Sequence, residues 1–311
     1  MLDRVNMLSL TIRQKINAPL ELRRLIEKDD LILAPGAYDP LSARMIEFTG
    51  FDVSYISGFG SAGGLLGFPD VGLMTMTEMV DNARNIAEAI NIPVIADGDT
   101  GYGNQINVIR TVQEFEKAGV AGLQLEDQIF PKKCGHMTGK QVIEESEMIE
   151  KIKAAKYAQR NKDFVIVART DAIAVEGLDS AISRAKAFYK AGADVLFVEA
   201  PEEIKHIEKI SHELRDYPLV FNWAEGGRSP KLSVQELKKY GFKIVIFPVS
   251  TLMSATKAMR NVLESIKKYG TPEKSLNEIY GFEEFLKFIG LPEINDLENK
   301  FGVPKQRKEA V

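Results

Sequence analysis

The feature that most constrains this chain is a rhythm. Short apolar runs rich in β-branched residues recur at 31–34, 53–57, 93–97, 121–126, 164–168, 195–198, 219–222 and 244–247. Seven longer segments between them have helical spacing. The segment 106–118 places Val108, Val112, Phe115 and Ala118 on one face, and 233–240 opens with Ser233 and Glu236 at capping-box spacing. Several helical segments stop at a glycine, Gly50, Gly119, Gly192 and Gly241, just before the next run. Near-continuous apolar strands alternating with helices belong to parallel sheets covered on both faces. Eight such units predict closure into a (β/α)8 TIM barrel rather than an open doubly wound sheet. No repeat of fixed period is visible, which excludes a solenoid. Residues 1–30 are predicted to be helical, with Leu20, Leu22, Leu25 and Ile26 on one face. The expected organisation is a barrel over 1–270 and a C-terminal helical extension over 271–302, with short helices near 279–289 and 295–301. A charged, disordered tail is expected over 303–311.

Composition narrows the partners. Forty basic and 44 acidic residues give a net charge of −4, and neither sign clusters with aromatics as a nucleic-acid face requires. The single cysteine precludes an internal disulfide, so nothing points to an oxidising compartment. Charges at Asp3, Arg4, Arg13 and Lys15 interrupt any signal-peptide core, and no stretch has the length of a membrane span. The expectation is a soluble cytoplasmic protein that binds neither nucleic acid nor membrane.

In a barrel of this kind the active site lies at the carboxyl ends of the strands. Those ends carry Tyr55, Ser57 and Gly58; Asp97 and Asp99; Glu126 and Asp127; Arg169, Thr170 and Asp171; Glu199; and Asn222. A polar residue after an apolar run is ordinary, but so many carboxylates aimed at one mouth repel each other and raise each other's pKa. A divalent cation would hold Asp97, Asp99 and Glu126 ionised together. Oxygen ligands without paired Cys or His spacing select Mg²⁺, with Mn²⁺ as the second candidate, over zinc. The competing reading is that these carboxylates cap helices and pair with lysines, and for Asp127 and Asp171 the two readings are balanced. Arg169 either clamps a substrate carboxylate bidentately or forms an ion pair with Glu126 or Glu199. Asn222 is either a donor to a carboxylate or a turn residue.

The connection after the fourth run is about twenty residues long, against the usual 2–6. Long ordered connections of this sort are commonly lids. It carries Lys132-Lys133-Cys134-Gly135-His136, which places the only thiol between basic neighbours that would lower its pKa. A lone cysteine is often an inert buried residue, but these neighbours are polar. His136 is a base, a ligand or a loop-ordering donor. Trp223 either shapes a pocket or packs in the core, and His206 and His212 read as solvated.

These motifs carry a resemblance. Asp97-Gly98-Asp99-Thr100-Gly101-Tyr102-Gly103, Glu126-Asp127-Gln128, the Lys132–His136 stretch (132–136) and Ala168-Arg169-Thr170-Asp171 resemble the isocitrate lyase/phosphoenolpyruvate mutase superfamily, from about residue 20 to about 300. The cysteine motif resembles that of its carbon–carbon lyases, since the mutases lack this cysteine. The stretch 172–179 looks like the 2-methylisocitrate lyase branch. The stretches 222–230 and 281–290 look like the 2,3-dimethylmalate lyase and oxaloacetate hydrolase branch.

The resemblance implies a Mg²⁺-dependent cleavage of a 2-hydroxy di- or tricarboxylate by retro-Claisen or aldol-type chemistry, for example 2-methylisocitrate to pyruvate and succinate. The alternatives are 2,3-dimethylmalate cleavage, oxaloacetate hydrolysis, phosphorus–carbon chemistry of the carboxyphosphonoenolpyruvate phosphonomutase type, or a non-catalytic barrel. It further implies metal binding by Asp97, Asp99 and, partly through water, Glu126. Ser57, Gly58 and Phe59 would contact the keto-acid half of the substrate, and Asp70 would orient groups near the metal. Arg169, Glu199 and Asn222 would bind substrate, with Cys134 and Gly135 on the gating loop. Cys134 is the expected proton donor, and Tyr55 the expected base or alkoxide-stabilising donor. A homotetramer of helix-swapped dimers is implied. No arginine lies between Arg260 and Arg307, where a tricarboxylate substrate would need one.

Overall fold

A computed structural model describes residues 16–135 and 137–301. They fall into two compact units, 16–254 and 255–301.

The first unit is a closed barrel of eight parallel strands in sequential order. The strands are β1 (Ile32–Ala37), β2 (Ser54–Ile56), β3 (Val94–Asp97), β4 (Gly122–Glu126), β5 (Val165–Thr170), β6 (Val195–Val198), β7 (Leu219–Asn222) and β8 (Ile244–Phe247). Pairing of Ile32 with Ile244 and of Ala34 with Ile246 closes the ring. Two strands run past their apolar stretches. β1 continues through Pro35, Gly36 and Ala37, because Gly36 lets β1 press onto the backbone of Pro248; a Cβ there would lie 2.6 Å from the Pro248 carbonyl carbon. β5 continues through Arg169 and Thr170, which pair in the ladder although they are polar.

Because side chains alternate across a strand, each strand feeds two cores. Ile32, Ala34, Tyr55, Ile95, Val165, Val167, Val195, Phe197, Val220, Ile244 and Ile246 fill the lumen. Ile56, Val94, Ala96, Leu123, Leu125, Ile166, Ala168, Leu196 and Phe221 pack outward against the helices. The helix Ala18–Glu27 inserts Leu22, which is fully buried, into the lumen cluster, with Leu25 and Ile26 packed beside it. The predicted helix at 106–118 is Gln105–Lys117 with Val108, Val112 and Phe115 buried, and the capping box at Ser233 forms as expected. The predicted helical character of 1–15 and the tail 303–311 lie outside the described residues.

The helix Ser250–Tyr269 follows β8 and runs into the second unit. Beyond it come a 3-10 turn, Glu273–Glu278, and the helices Phe282–Phe288 and Leu291–Phe301, which form the C-terminal helical extension. Met259, Leu263, Phe282 and Phe301 are all exposed there. No helix among the described residues is long and apolar enough to cross a membrane.

Candidate active site

Strand alternation assembles the site. On β3, Ile95 points inward, so Asp97 does too. On β5, Val165 and Val167 set the inward parity of Arg169. Tyr55 on β2, Gln124 and Glu126 on β4, Glu199 after β6 and Asn222 on β7 follow by the same count of two. Tyr55, Asp97, Gln124, Glu126, Arg169, Glu199 and Asn222 are all buried.

One half of the site is acidic. Asp97 Oδ1 accepts from the Asp99 amide (3.0 Å) and Gln124 Nε2 (3.2 Å), and its Oδ2 accepts from the Gly58 amide (3.2 Å). Lys132 is buried and its ammonium lies 2.6 Å from Asp70 Oδ1 and 2.7 Å from Asp99 Oδ1. Burial pushes the Asp99 carboxyl up to about 7, against the opposing pull of Lys132. Burial likewise disfavours the Lys132 charge, but Asp99, Asp70 and Asp97 outweigh it and hold the ammonium charged. Glu126 is pushed well above the carboxylate range by burial, which the Arg169 charge offsets in part. Among the described residues neither of its oxygens has a hydrogen-bond partner, although Arg169 Nη1 stands 3.2 Å from Oε2, so that contact is an ion pair without hydrogen-bond alignment.

The other half is built on Arg169. Its Nε and Nη2 donate to Asp171 Oδ2 (2.9 Å) and Oδ1 (3.0 Å), a bidentate pair. Glu199 Oε1 is 3.8 Å from Nη2, and the Phe197 ring lies under the guanidinium. Burial disfavours this charge, yet Asp171, Glu126 and Glu199 together keep it. Burial would raise Asp171, but Arg169 and Lys140 prevail and hold it down to about 2. Asn222 Nδ2 donates to Glu199 Oε1 at 3.1 Å. Behind this pair, Asp127 accepts from the Asp171 amide (2.9 Å) and Thr170 Oγ1 (2.7 Å), and Arg184 reaches it at 3.4 Å. Asp127 and Asp171 thus hold other side chains in place.

The long β4 connection, 127–144, closes on itself. Gln128 bridges to Val142, the Ile143 amide donates to the Asp127 carbonyl, and Gln128 clamps the Lys133 backbone through both amide atoms at 2.8 and 3.0 Å. The Cys134 amide donates to the Asp70 carbonyl, and a turn joins Met137 to Cys134. This places Gly135 against Glu199 and Arg169 Nη2, with no room for a side chain. His136 lies outside the described residues.

A cavity of about 220 Å³ lies between these halves and the loop. Of the residues expected from sequence, Tyr55, Ser57, Phe59, Asp70, Asp97, Cys134, Gly135, Arg169, Glu199 and Asn222 line it. Gly58, Asp99 and Glu126 are not part of the lining but touch residues that are. Ala224, Glu225, Gly226 and Gly227 close another side. Trp223 is not in the lining; it packs 6.0 Å from Phe247 and donates from Nε1 to the Leu232 carbonyl, so of its two readings core packing holds. Sequence reasoning missed three groups. Gln124 shows as a lone amide in an otherwise apolar strand, a signal that was there to read. Lys132 reads in the sequence as a neighbour that tunes the thiol, but its ammonium is committed to Asp70 and Asp99. Lys140 gave no signal. Tyr55 donates to Gln124 Oε1 at 2.9 Å, and burial followed by Asp97 raises its pKa well above the usual phenol range.

Among the described residues no three His, Cys, Asp or Glu side chains form a ready-made cation cage. Mg²⁺ does not need one: it uses one or two carboxylates and fills its octahedron with water and substrate oxygens. Asp97 on the cavity wall and the unbonded oxygens of Glu126 suit that demand.

This fold and this site define a class. The chain belongs to the phosphoenolpyruvate phosphomutase family, whose profile matches residues 22–267, within the isocitrate lyase/phosphoenolpyruvate mutase superfamily, and it is an enzyme of that carbon–carbon lyase and mutase group. It is 44% identical to 2,3-dimethylmalate lyase of Eubacterium barkeri, over 92% of this chain and 99% of that protein. It is 43% identical to 2-methylisocitrate lyase of Aeropyrum pernix, over 89% of each. A crystal structure of 2,3-dimethylmalate lyase superposes with a TM-score of 0.88 at 36% identity, covering 95% of this chain and 99% of that one. A phosphonopyruvate hydrolase solved with oxalate and Mg²⁺ superposes at 0.84 with 28% identity, covering 92% and 99%.

Proposed function

We propose that this enzyme is a Mg²⁺-dependent lyase that splits a 2-hydroxy dicarboxylate of the 2-alkylmalate type into a 2-keto acid and a monocarboxylate. The observation that carries this reading is the charge of the cavity. Arg169 is its only lysine or arginine among the lining residues, and it is already shared by three carboxylates. A dicarboxylate needs one cationic side chain beside the metal, whereas the tricarboxylate 2-methylisocitrate would need another. The identity to 2,3-dimethylmalate lyase over nearly that protein's whole length supports the same substrate class.

Asp97 would hold the metal directly, with Asp99 behind it and Glu126 through water. Bound there, Mg²⁺ would supply Lewis acidity and a template for the 2-hydroxy acid. Every other step falls to the chain. Ser57, Gly58 and Phe59 flank the keto-acid half, while Arg169 and Asn222 orient the distal carboxylate. The proton of the C2 hydroxyl passes to the carboxylate cluster, and Tyr55, held protonated, turns its O–H from Gln124 Oε1 to the developing oxyanion. As the C2–C3 bond breaks, its electron pair goes to C3, and Cys134 on the loop delivers a proton to that carbon. The loop keeps water from the carbanion. One proton leaves oxygen for the cluster and one reaches carbon from the thiol, and the cluster's proton returns to the thiolate by way of solvent before the next turnover.

The test is 2-keto acid release with Mg²⁺ from 2,3-dimethylmalate and 2-methylisocitrate, and oxalate release from oxaloacetate. Preference for 2,3-dimethylmalate is expected. A kcat/KM higher for 2-methylisocitrate overturns the dicarboxylate reading, and silence on all three overturns lyase activity. The exposed apolar residues of the C-terminal helices, including Leu263 and Phe282, fit cover by a second copy of the chain. We therefore expect the helix-swapped homotetramer, measurable as mass by light scattering.

A further inference from the structure

Lys140 lies outside the motif that marks the loop, yet its side chain is almost wholly buried. Its ammonium makes two contacts. It donates to the carbonyl of Gly135 at 2.5 Å and to Asp171 Oδ1 at 2.7 Å. Gly135 is the loop residue pressed against Glu199 and Arg169, and it is bonded to the residue that carries the thiol. Asp171 is the carboxylate that grips Arg169 through both oxygens. A single lysine therefore ties the loop backbone to the counter-ion of the arginine that faces the cavity.

The remaining ties of this loop end elsewhere than at Asp171 and Arg169. The Gln128 clamp grips Lys133, upstream of the thiol. The Cys134 amide donates to the backbone carbonyl of Asp70, and Lys133 Nζ reaches the Gly139 carbonyl on the solvent side at 3.1 Å. Buried charges hold the loop elsewhere too, Lys132 on Asp70 and Asp99 and Arg184 on the Ile143 carbonyl, but among these ties the Lys140 contact is the one that joins the backbone beside the thiol to the Arg169 assembly. Backbone carbonyls bonded to a buried ammonium are held far more firmly than those bonded to a neutral donor.

We propose that Lys140 is a positioning residue: it pins the Gly135 carbonyl to Asp171, so that one carboxylate fixes both the seat of the loop that carries Cys134 and the orientation of Arg169. This assignment rests on the loop being the lid of the proposed lyase site, but its test does not depend on turnover.

The chain has a single cysteine, so its labelling by 5,5′-dithiobis(2-nitrobenzoate) reads the loop and nothing else. A charge-assisted hydrogen bond is worth about 10- to 100-fold in a local opening equilibrium. Lys140→Met and Lys140→Gln are expected to label at least about 10-fold faster than the wild type, with unchanged circular dichroism. Lys140→Arg, which keeps a buried cationic donor, should return the rate to within about threefold. On a substrate that the wild type turns over, kcat should fall in the Met and Gln variants more than KM rises. Wild-type labelling rates in the Met or Gln variant overturn the proposal, as does an acceleration that Arg fails to reverse. If the wild type releases no keto acid, the lyase reading fails while the labelling rates still decide for or against Lys140. If Met does not fold, Gln carries the same test with a polar group in the buried site.

Discussion

Gly135→Ala puts the loop against the site with a single methyl group. A Cβ at 135 would overlap Glu199 Oε1 and stand 2.5 Å from Arg169 Nη2 and 2.6 Å from Glu199 Cδ, where ordinary contact begins at 3.4 Å. The two charged side chains are not free to retreat. Arg169 is fixed by the bidentate Asp171 pair at 2.9 and 3.0 Å, and Glu199 accepts from Asn222 at 3.1 Å. The loop must therefore back away by about 1 Å, and a displacement of that size at a reacting group costs about 100-fold in rate. That corresponds to about 2.7 kcal/mol of transition-state stabilisation. The backbone at Gly135 is not left-handed, so alanine adds no dihedral strain, and the stability of the fold should change by no more than about 0.5 kcal/mol. The assay is keto-acid release coupled to a dehydrogenase, with a thermal melt in parallel. An alanine variant that keeps more than about a third of the wild-type kcat/KM refutes the geometry of the closed loop, and so does one that loses activity only by unfolding.

Cys134→Ser should retain fold and Mg²⁺ affinity but lose about 10²- to 10⁴-fold in kcat, the span of a general acid; wild-type rates would remove the thiol from the chemistry. Asp97→Asn should weaken Mg²⁺ binding by at least about tenfold in calorimetry, and an unchanged affinity would move the metal elsewhere. Asp171 is held at about 2 against its ordinary 3.8, so the folded state binds its proton later than the unfolded chain. Its contribution, about 2 kcal/mol, is present above about pH 4 and lost as pH falls through 2. Denaturant titrations of Asp171→Asn should accordingly show a shallower loss of stability between pH 4 and 2 than the wild type, and parallel curves would contradict the ion pairing.

The barrel was legible because each strand is a short, mostly apolar run, most of them with β-branched residues, and several of the breaks are marked by a glycine or a cap. β1 escaped at its far end, since what carries it past Ala34 is the fit of Gly36 onto Pro248, a contact between segments more than two hundred residues apart. The carboxylates were legible by position, as polar groups directly after apolar runs. What sequence left open was which charge meets which. Arg169 had two candidate partners, Glu126 and Glu199; both stand near it, yet the hydrogen-bonded partner is Asp171, two residues away, which parity turns to the same side. Lys132 and Lys140 lie in a connection without periodicity, and only the path of the loop reveals that both ammonium groups are buried.

The alternation of the strands also governs how such an enzyme can be altered. Its inward carboxylates owe their direction to a count of two from the apolar residues before them. An insertion of one residue within β3, β4 or β5 would turn Asp97, Glu126 or Arg169 into the layer of helices and bring Ala96, Leu125 or Ala168 into the mouth. One codon gained there abolishes the chemistry, and no single substitution restores it. The segment after β7, by contrast, contributes Ala224, Glu225, Gly226 and Gly227 to the cavity from outside the ladder. Residues can be added, removed or exchanged there without shifting any strand. New substrates for this scaffold, whether reached by drift or by directed evolution, are to be sought in the length and content of that segment, while the strands keep the reaction unchanged.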